Sequence, residues 1–244
     1  MILDCHTHIF PAEMIRDRDA LCIKDRGFAA IYENSKARMV GVEDLLSSMD
    51  DSGIDRSVIC GFSWGRSDLC FHHNQYLLES ASRYPERLIV FVSFFPLDPE
   101  RSLLELEKGI KAGAKGVGEI AFYDRGMGPR AMESMRPALT ALEEKNIPLL
   151  LHTNETIGHS YPGKGETPLS RFHELILTYP RLRVILAHWE VDSSSMNSCL
   201  RSRRRWRGFT TTQPLLLFSI HPRFTPSRQK SLDRIESFSD RTIP

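Results

Sequence analysis

The sequence predicts an α/β fold of the (β/α)8, TIM-barrel-like kind, broken off here after about six β/α units. Three observations predict it. Short apolar runs alternate with longer segments of helical period, an order that builds a parallel sheet. The 244 residues suffice for one large domain of this class. No G-x-G-x-x-G follows the first apolar run, which disfavours an open dinucleotide-binding sheet, and GKGET at 163–167 lacks phosphate-loop spacing.

Taken in order, strands are expected at 2–4, 57–60, 88–94, 116–120, 148–152 and 183–188. Helices are expected between them at 41–52, 72–84, 99–112, 128–145 and 169–179, each with apolar residues three and four apart, as in LLELEKGI. Pro99 and Gly113 bracket one of these helices in the usual sense, proline at the start and glycine beyond the end. Two more units are needed to close a barrel, and the residues after Trp189 offer the space.

Composition is that of a globular protein, 41% hydrophobic and 26% charged, with a net charge of +1 that implies no acidic partner. The average conceals an asymmetry. Of 32 Lys and Arg, ten fall between Glu190 and Pro244, against five of the 31 Asp and Glu, so the first 189 residues are net acidic and the remainder net basic. Five cysteines (Cys5, Cys22, Cys60, Cys70, Cys199) form no C-x-x-C pair, which favours reduced thiols in a cytoplasmic protein. MILDCHTHIF is too short and polar for a secretion signal, and no apolar run reaches the roughly 18–20 residues of a membrane span. A soluble, cytoplasmic protein without a membrane partner is expected.

In a parallel barrel the side chains at the carboxyl ends of the strands converge on one mouth. His6 and His8 follow the first apolar run, and alternation along an extended segment puts both on one side, able to grip one cation. His152 ends IPLLL, His188 ends VILA, and Glu119 ends GVGEI. A single such histidine is more often a hydrogen-bonded core or surface residue, and His72, His73, His159 and His173, in helices or loops, keep that reading. His221 falls in the basic tail. Imidazoles with a carboxylate, gathered at several strand ends, suit zinc foremost, or manganese, as one or two ions. Such an ion activates water as a nucleophile.

DCHTHIF resembles the first-strand H-x-H motif of the amidohydrolase superfamily, above all its amidohydrolase-related branch of hydrolases and metal-dependent non-oxidative decarboxylases. LLLHTNE and VILAHW resemble the fifth- and sixth-strand histidine segments of that family, and GVGEI is similar to a fourth-strand segment that supplies a metal-ligating glutamate in TatD-like relatives. The resemblance covers residues 1–189. It implies that His6 and His8 hold the first metal, and that Glu119 ligates or bridges in place of a carboxylated lysine. It further implies that His152 and His188 are the next ligands, or that His188 acts catalytically by polarising water or substrate. The family also places an aspartate at the end of its eighth strand, in a GSDYP-like motif that serves as metal ligand and proton shuttle. No such motif stands after Trp189.

The tail departs from the family at VDSSSMNSCLRSRRRWR, residues 191–207. A shifted reading frame accounts for it. Codons for 189–201 can be chosen that read GGGLLFYELMPE one base out of step, and those for the final stretch can read IIGSDRILFGSDYP, which restores the missing motif in order. Residues 1–189 are therefore expected to form an incomplete barrel domain, and 190–244 an out-of-frame, poorly ordered tail. RSRRRWR read bare is a nucleic-acid patch, but the tail lacks repeated Arg–Ser dipeptides and any folded nucleic-acid motif.

The expected function is that of a metal-dependent hydrolase attacking an ester, lactone or amide-like carbon of a small molecule, with this 244-residue chain impaired or inactive because the aspartate is lost. Decarboxylation of a small carboxylated substrate is the alternative, and a non-catalytic binding protein with a basic nucleic-acid-binding tail the third reading. No nucleic-acid partner is expected, and a homo-oligomer is compatible with the sequence. The loops 61–68 and 152–166 are placed to shape the pocket; Trp64, Arg66 and Asn154 lie in them, with ordinary loop roles the default. The substrate itself is not legible.

Overall fold

The structure, a computed structural model, describes residues 1–123, 126–153 and 163–187, with the backbone of Leu216–Leu217. Six strands run in chain order through one parallel sheet: β1 (Leu3–Thr7), β2 (Arg56–Cys60), β3 (Leu88–Val92), β4 (Gly116–Ile120), β5 (Leu149–His152) and β6 (Val184–Ala187). A two-residue strand, β7 (Leu216–Leu217), pairs in parallel with β6. Helices α1 (Ala12–Arg16), α2 (Arg18–Lys24), α3 (Arg26–Tyr32) and α4 (Val42–Ser52) fill the connection from β1 to β2. Later crossovers carry α5 (Ser67–Arg83), α6 (Pro99–Lys111), α7 (Pro129–Glu144) and α8 (Leu169–Thr178). The sheet curls into a partial barrel: the Glu119 N–H at the end of β4 donates to the Gly61 carbonyl just past β2, across the intervening β3.

The elements expected from periodicity are present, with ends shifted by a few residues. Periodicity does not predict helices α1 to α3, because at five, seven and seven residues none spans enough turns to show a helical period. Helix α5 begins at Ser67, five residues before the expected start, with Asp68 in its first turn at the favourable end of the helix dipole. Strand β7 lies within the segment that departs from the family, where the sequence offers no periodicity to predict it.

Alternation along the strands sorts the core into two layers. Ile59, Val90, Val117, Leu149, Leu151 and Leu186 join the large cluster that the helices cover, with Leu77, Leu106, Met135 and Leu175. Val58, Cys60, Phe91, Leu150 and Ala187 point the other way, into the barrel interior. Phe91 fits there because its neighbour in β4 is Gly116, where a Cβ would stand 2.5 Å from the Phe91 ring. A third cluster, Phe10, Met14, Phe28, Tyr32, Phe62 and Trp64, packs the β1–α4 connection over the carboxyl end of the barrel. No helix among the described residues is long and apolar enough to cross a membrane.

Candidate metal centre

Four of the five expected site residues lie among the described residues, and three of them converge. His6, His8 and Glu119 each offer one donor atom, all within 4.8 Å of one another. The two Nε2 atoms stand 2.9 Å apart, and Glu119 Oε2 lies 3.5 Å from His6 Nε2 and 3.7 Å from His8 Nε2. Tetrahedral ligands about 2.1 Å from a zinc ion sit about 3.4 Å from each other. His188 falls outside the described residues, as does Asn154.

Local irregularities produce this convergence. Between Asp4 and Thr7, β1 advances three residues while β2 advances two, from Ser57 to Ile59. Between Val117 and Ile120, β4 advances three while β5 advances two, from Leu149 to Leu151. Each strand therefore holds one extra residue, the signature of a bulge, which re-aims side chains at a sheet's rim. In β4 the device depends on Gly118. Its φ of +142° lies where side-chain-bearing residues are strained, and a Cβ there would meet Leu150 Cβ at 2.5 Å and Leu150 O at 2.6 Å. Val117 and Ile120 both pack in the helix-covered core, so the bulge between them frees Glu119 to face the mouth.

The chemistry of the donors fits a cation. His8 Nδ1 lies 2.9 Å from the Cys60 carbonyl, which can only accept, so the ring's proton sits on Nδ1 and Nε2 presents a lone pair. That lone pair faces a carboxylate oxygen and a second imidazole. Burial, with His6 beside it, pushes the His8 pKa down to about 3, which keeps the ring neutral as a metal ligand must be. Glu119 is 1% exposed, deep enough to need charged partners. The Asp4 carboxylate accepts the His6 N–H at 3.2 Å, and Phe62 stacks on the His8 ring at 4.0 Å and 22°.

His152 stands beside the cluster rather than in it. Its Nδ1 lies 3.1 Å from Glu119 Oε1 and its Nε2 3.0 Å from the Gly163 carbonyl, so both ring nitrogens are engaged. Glu119 thus offers one oxygen to His152 and the other to the histidine pair. Tyr123 meets the His152 ring edge-on at 5.3 Å, and burial pushes its phenol pKa well up, keeping it neutral.

The histidines given structural roles divide as follows. His73 is buried, with Nε2 donating to the Ile9 carbonyl at 2.8 Å and Nδ1 accepting from Trp64 Nε1 at 3.3 Å. His72 pairs with Glu13 at 2.9 Å, and His173 lies on α8. Trp64 is fully buried in the aromatic cluster, so it packs rather than meeting solvent. Sequence reasoning missed Cys60, Ser63, Tyr123 and Gly163. All four act through a backbone carbonyl or a loop position, for which periodicity carries no signal, although Ser63 and Gly163 lie in the two loops expected to shape the pocket.

A partial parallel barrel with imidazoles and a carboxylate gathered at its strand ends defines a class, that of metal-dependent barrel enzymes. The amidohydrolase family model matches residues 3–195, and the chain belongs to that family. A comparison with curated proteins finds no match. Among solved structures, a 5-carboxyvanillate decarboxylase from Novosphingobium aromaticivorans, complexed with manganese and 4-hydroxy-3-methoxy-5-nitrobenzoic acid, is similar at TM-score 0.62 and 18% identity. The match covers 88% of this chain and 74% of that one. A 2,6-dihydroxybenzoate decarboxylase from Rhizobium is similar at TM-score 0.58 and 17% identity over 88% and 74% of the two chains. A dihydroxybenzoic acid decarboxylase from a Polaromonas species, with bound manganese and the inhibitor 2-nitroresorcinol, is similar at 0.54 and 18% over 88% and 73%. At these identities the likeness is one of fold.

Proposed function

We propose that the chain is a divalent-metal hydrolase of the amidohydrolase family, acting on an ester, lactone or amide-like carbon of a small molecule. The observation that carries the reading is the convergence of His6, His8 and Glu119, with the His8 proton held on Nδ1 by the Cys60 carbonyl. Two histidines with one glutamate form the ligand set of several zinc hydrolases, which supports hydrolysis over other chemistry. A bound zinc or manganese ion would supply an activated water and polarise a carbonyl.

The protein's own part is positioning. His6, His8 and Glu119 Oε2 would hold the ion. His152 Nδ1 holds Glu119 Oε1 and so fixes the carboxylate's plane. Phe62 and the aromatic cluster around it exclude water from one side of the His8 ring. His188 is assigned the remaining catalytic role, orienting water or substrate.

A second reading, non-oxidative decarboxylation of a small aromatic carboxylate, is favoured by the manganese-bound decarboxylases among the similar structures. One experiment tests both. The chain with its frame restored after Trp189 is purified and loaded with zinc or manganese, its metal content measured, and a panel of lactones, esters and aromatic carboxylates assayed for acid release and for carbon dioxide. Ring opening or ester cleavage with retained metal is the expected result. Carbon dioxide release alone replaces the first reading with the second, and a chain that retains neither metal overturns both.

The tail is proposed to be read out of frame. The family match ends at Ser195, inside the stretch where the sequence departs from the family. Verified DNA across the codons for 188–195, with peptide masses from the same region, decides it; an unbroken frame defeats the proposal. Restoring the frame should return the eighth-strand aspartate and raise turnover above that of the 244-residue chain.

A further inference from the structure

A cavity of about 610 Å³ opens at the carboxyl ends of β2, β3 and β4, beside the His6–His8–Glu119 cluster but not lined by it. Its size is that of a small-molecule pocket. Ser63 lines it and also donates its hydroxyl to the Glu119 carbonyl at 3.3 Å, while Ala121, another lining residue, follows Glu119 by two positions. The cavity therefore begins at the backbone that carries the β4 ligand.

Among the described residues its charged lining is mostly basic. Lys24 ends α2, Arg26 begins α3, Arg66 precedes α5, and Arg130 lies in the first turn of α7; all four line the cavity. They come from the connections after β1, β2 and β4, so no single helix face accounts for them. Among the described residues one carboxylate lines it, that of Asp25, which is 3% exposed. Asp25 Oδ1 accepts the Phe28 N–H at 2.8 Å, capping α3 and fixing the turn between Lys24 and Arg26. Arg66 also pairs with Asp68 at 2.6 Å, which holds its guanidinium in one arc of the rim. Phe95 and Phe122 supply apolar wall between the cations. A concave, partly apolar site ringed by one sign of charge concentrates ligands of the opposite sign.

We infer that this cavity binds an oxyanion, a carboxylate or a phosphate-type group, carried by the substrate away from the carbon that reacts. The inference rests on the reading of His6, His8 and Glu119 as the metal centre. The substrate class becomes a diacid or phosphorylated acid rather than a neutral ester or lactone.

Benzoate, terephthalate and 4-phosphonobenzoate are titrated by calorimetry into the full chain, once loaded with manganese and once chelated. Metal content is measured in parallel. In the loaded protein one of the two doubly charged acids should bind at least about tenfold more tightly than benzoate. The tighter of the two names the oxyanion. In the chelated protein that acid should still bind, with an affinity that falls as salt is added. Arg26→Ala with Arg130→Ala, both at exposed positions, should bring its affinity to within about twofold of benzoate and leave metal content unchanged. Equal affinity for all three acids overturns the inference, as does a preference that survives the double variant or an absence of binding in both forms. Failure of the metal reading appears separately, as a chain that retains no manganese and binds the acids identically in both forms.

Discussion

Strands β1 and β4 each hold one residue more than the strand they pair with, whereas β2 with β3 and β5 with β6 pair residue for residue. The donors that converge come from, or directly follow, the two irregular strands. The regular β5 also ends in a histidine, and its register with β6 runs unbroken to His152 and Ala187. His152 meets the cluster at the far oxygen of Glu119. A regular ladder thus delivers its side chain where alternation sends it, and the extra residue in β1 and β4 redirects the side chains beyond it. The site is made by departures from the pattern that makes the sheet.

Removing the departure in β4 should have the largest effect. Gly118→Ala puts a Cβ in a strained backbone region and within 2.6 Å of Leu150. We expect a loss of about 4 kcal/mol or more, seen as a collapse of soluble yield and of the thermal transition, because both strain and overpacking act at one buried point. A Gly118→Ala protein that folds normally and retains metal would show that the bulge does not depend on glycine.

Next come the ligands themselves. Glu119→Gln should weaken zinc or manganese binding several hundredfold, while His152→Asn should weaken it by about tenfold, the scale of a group that orients a ligand without touching the ion. Competition against a chelating dye measures both. Equal losses would place His152 among the ligands and erase the contrast between regular and bulged strands.

The same contrast explains what is legible in the sequence. Strands buried on both faces, such as SVIC and LIVFV, and helices with a full period, such as PERSLLELEKGIK, can be read because a short unbroken apolar run or an apolar stripe leaves a trace in the letters. H-x-H alone is a weak signal, and it becomes legible as chemistry beside Glu119, His152 and His188 at the ends of other strands. GVGEI draws notice for its glutamate, but its two glycines carry the geometry: Gly116 admits Phe91, and Gly118 permits the bulge. Neither need is written in periodicity. The turn of His8 toward Cys60 is beyond reach altogether, because a carbonyl is present at every position and only the fold says which one is used.

A smaller effect concerns the anchor of β1. His73 holds the Ile9 carbonyl just past His8, and burial lowers its pKa from 6.5 to about 4. In the unfolded chain the ring takes up its proton near pH 6.5, whereas the folded protein resists until about pH 4. The stabilisation is therefore complete above pH 6.5, declines as pH falls from 6.5 to 4, and is gone below that. About 3 kcal/mol should be lost across this window. Urea unfolding of the chelated protein at several pH values measures it against His73→Gln, which can keep both hydrogen bonds but does not titrate. Parallel curves for the two proteins would remove His73 from the account.

The smallest effect is the most pointed for the comparison. Phe62 stacks on His8 at 4.0 Å and leans at a tilt against Trp64 at 4.6 Å, so the His8 ring has two candidates for what orients it, a neighbouring aromatic face or the Cys60 carbonyl. Phe62→Leu keeps the apolar volume and removes the face. Stability should fall by about 1 kcal/mol, the value of an aromatic pair beyond its buried area. Metal affinity should change by less than about threefold, because a hydrogen bond to the backbone fixes both the tautomer and the plane of the ring. A loss above about tenfold would mean that the aromatic wall orients the ligand, and the backbone irregularity in β1 would then bring His8 to the site without aiming it.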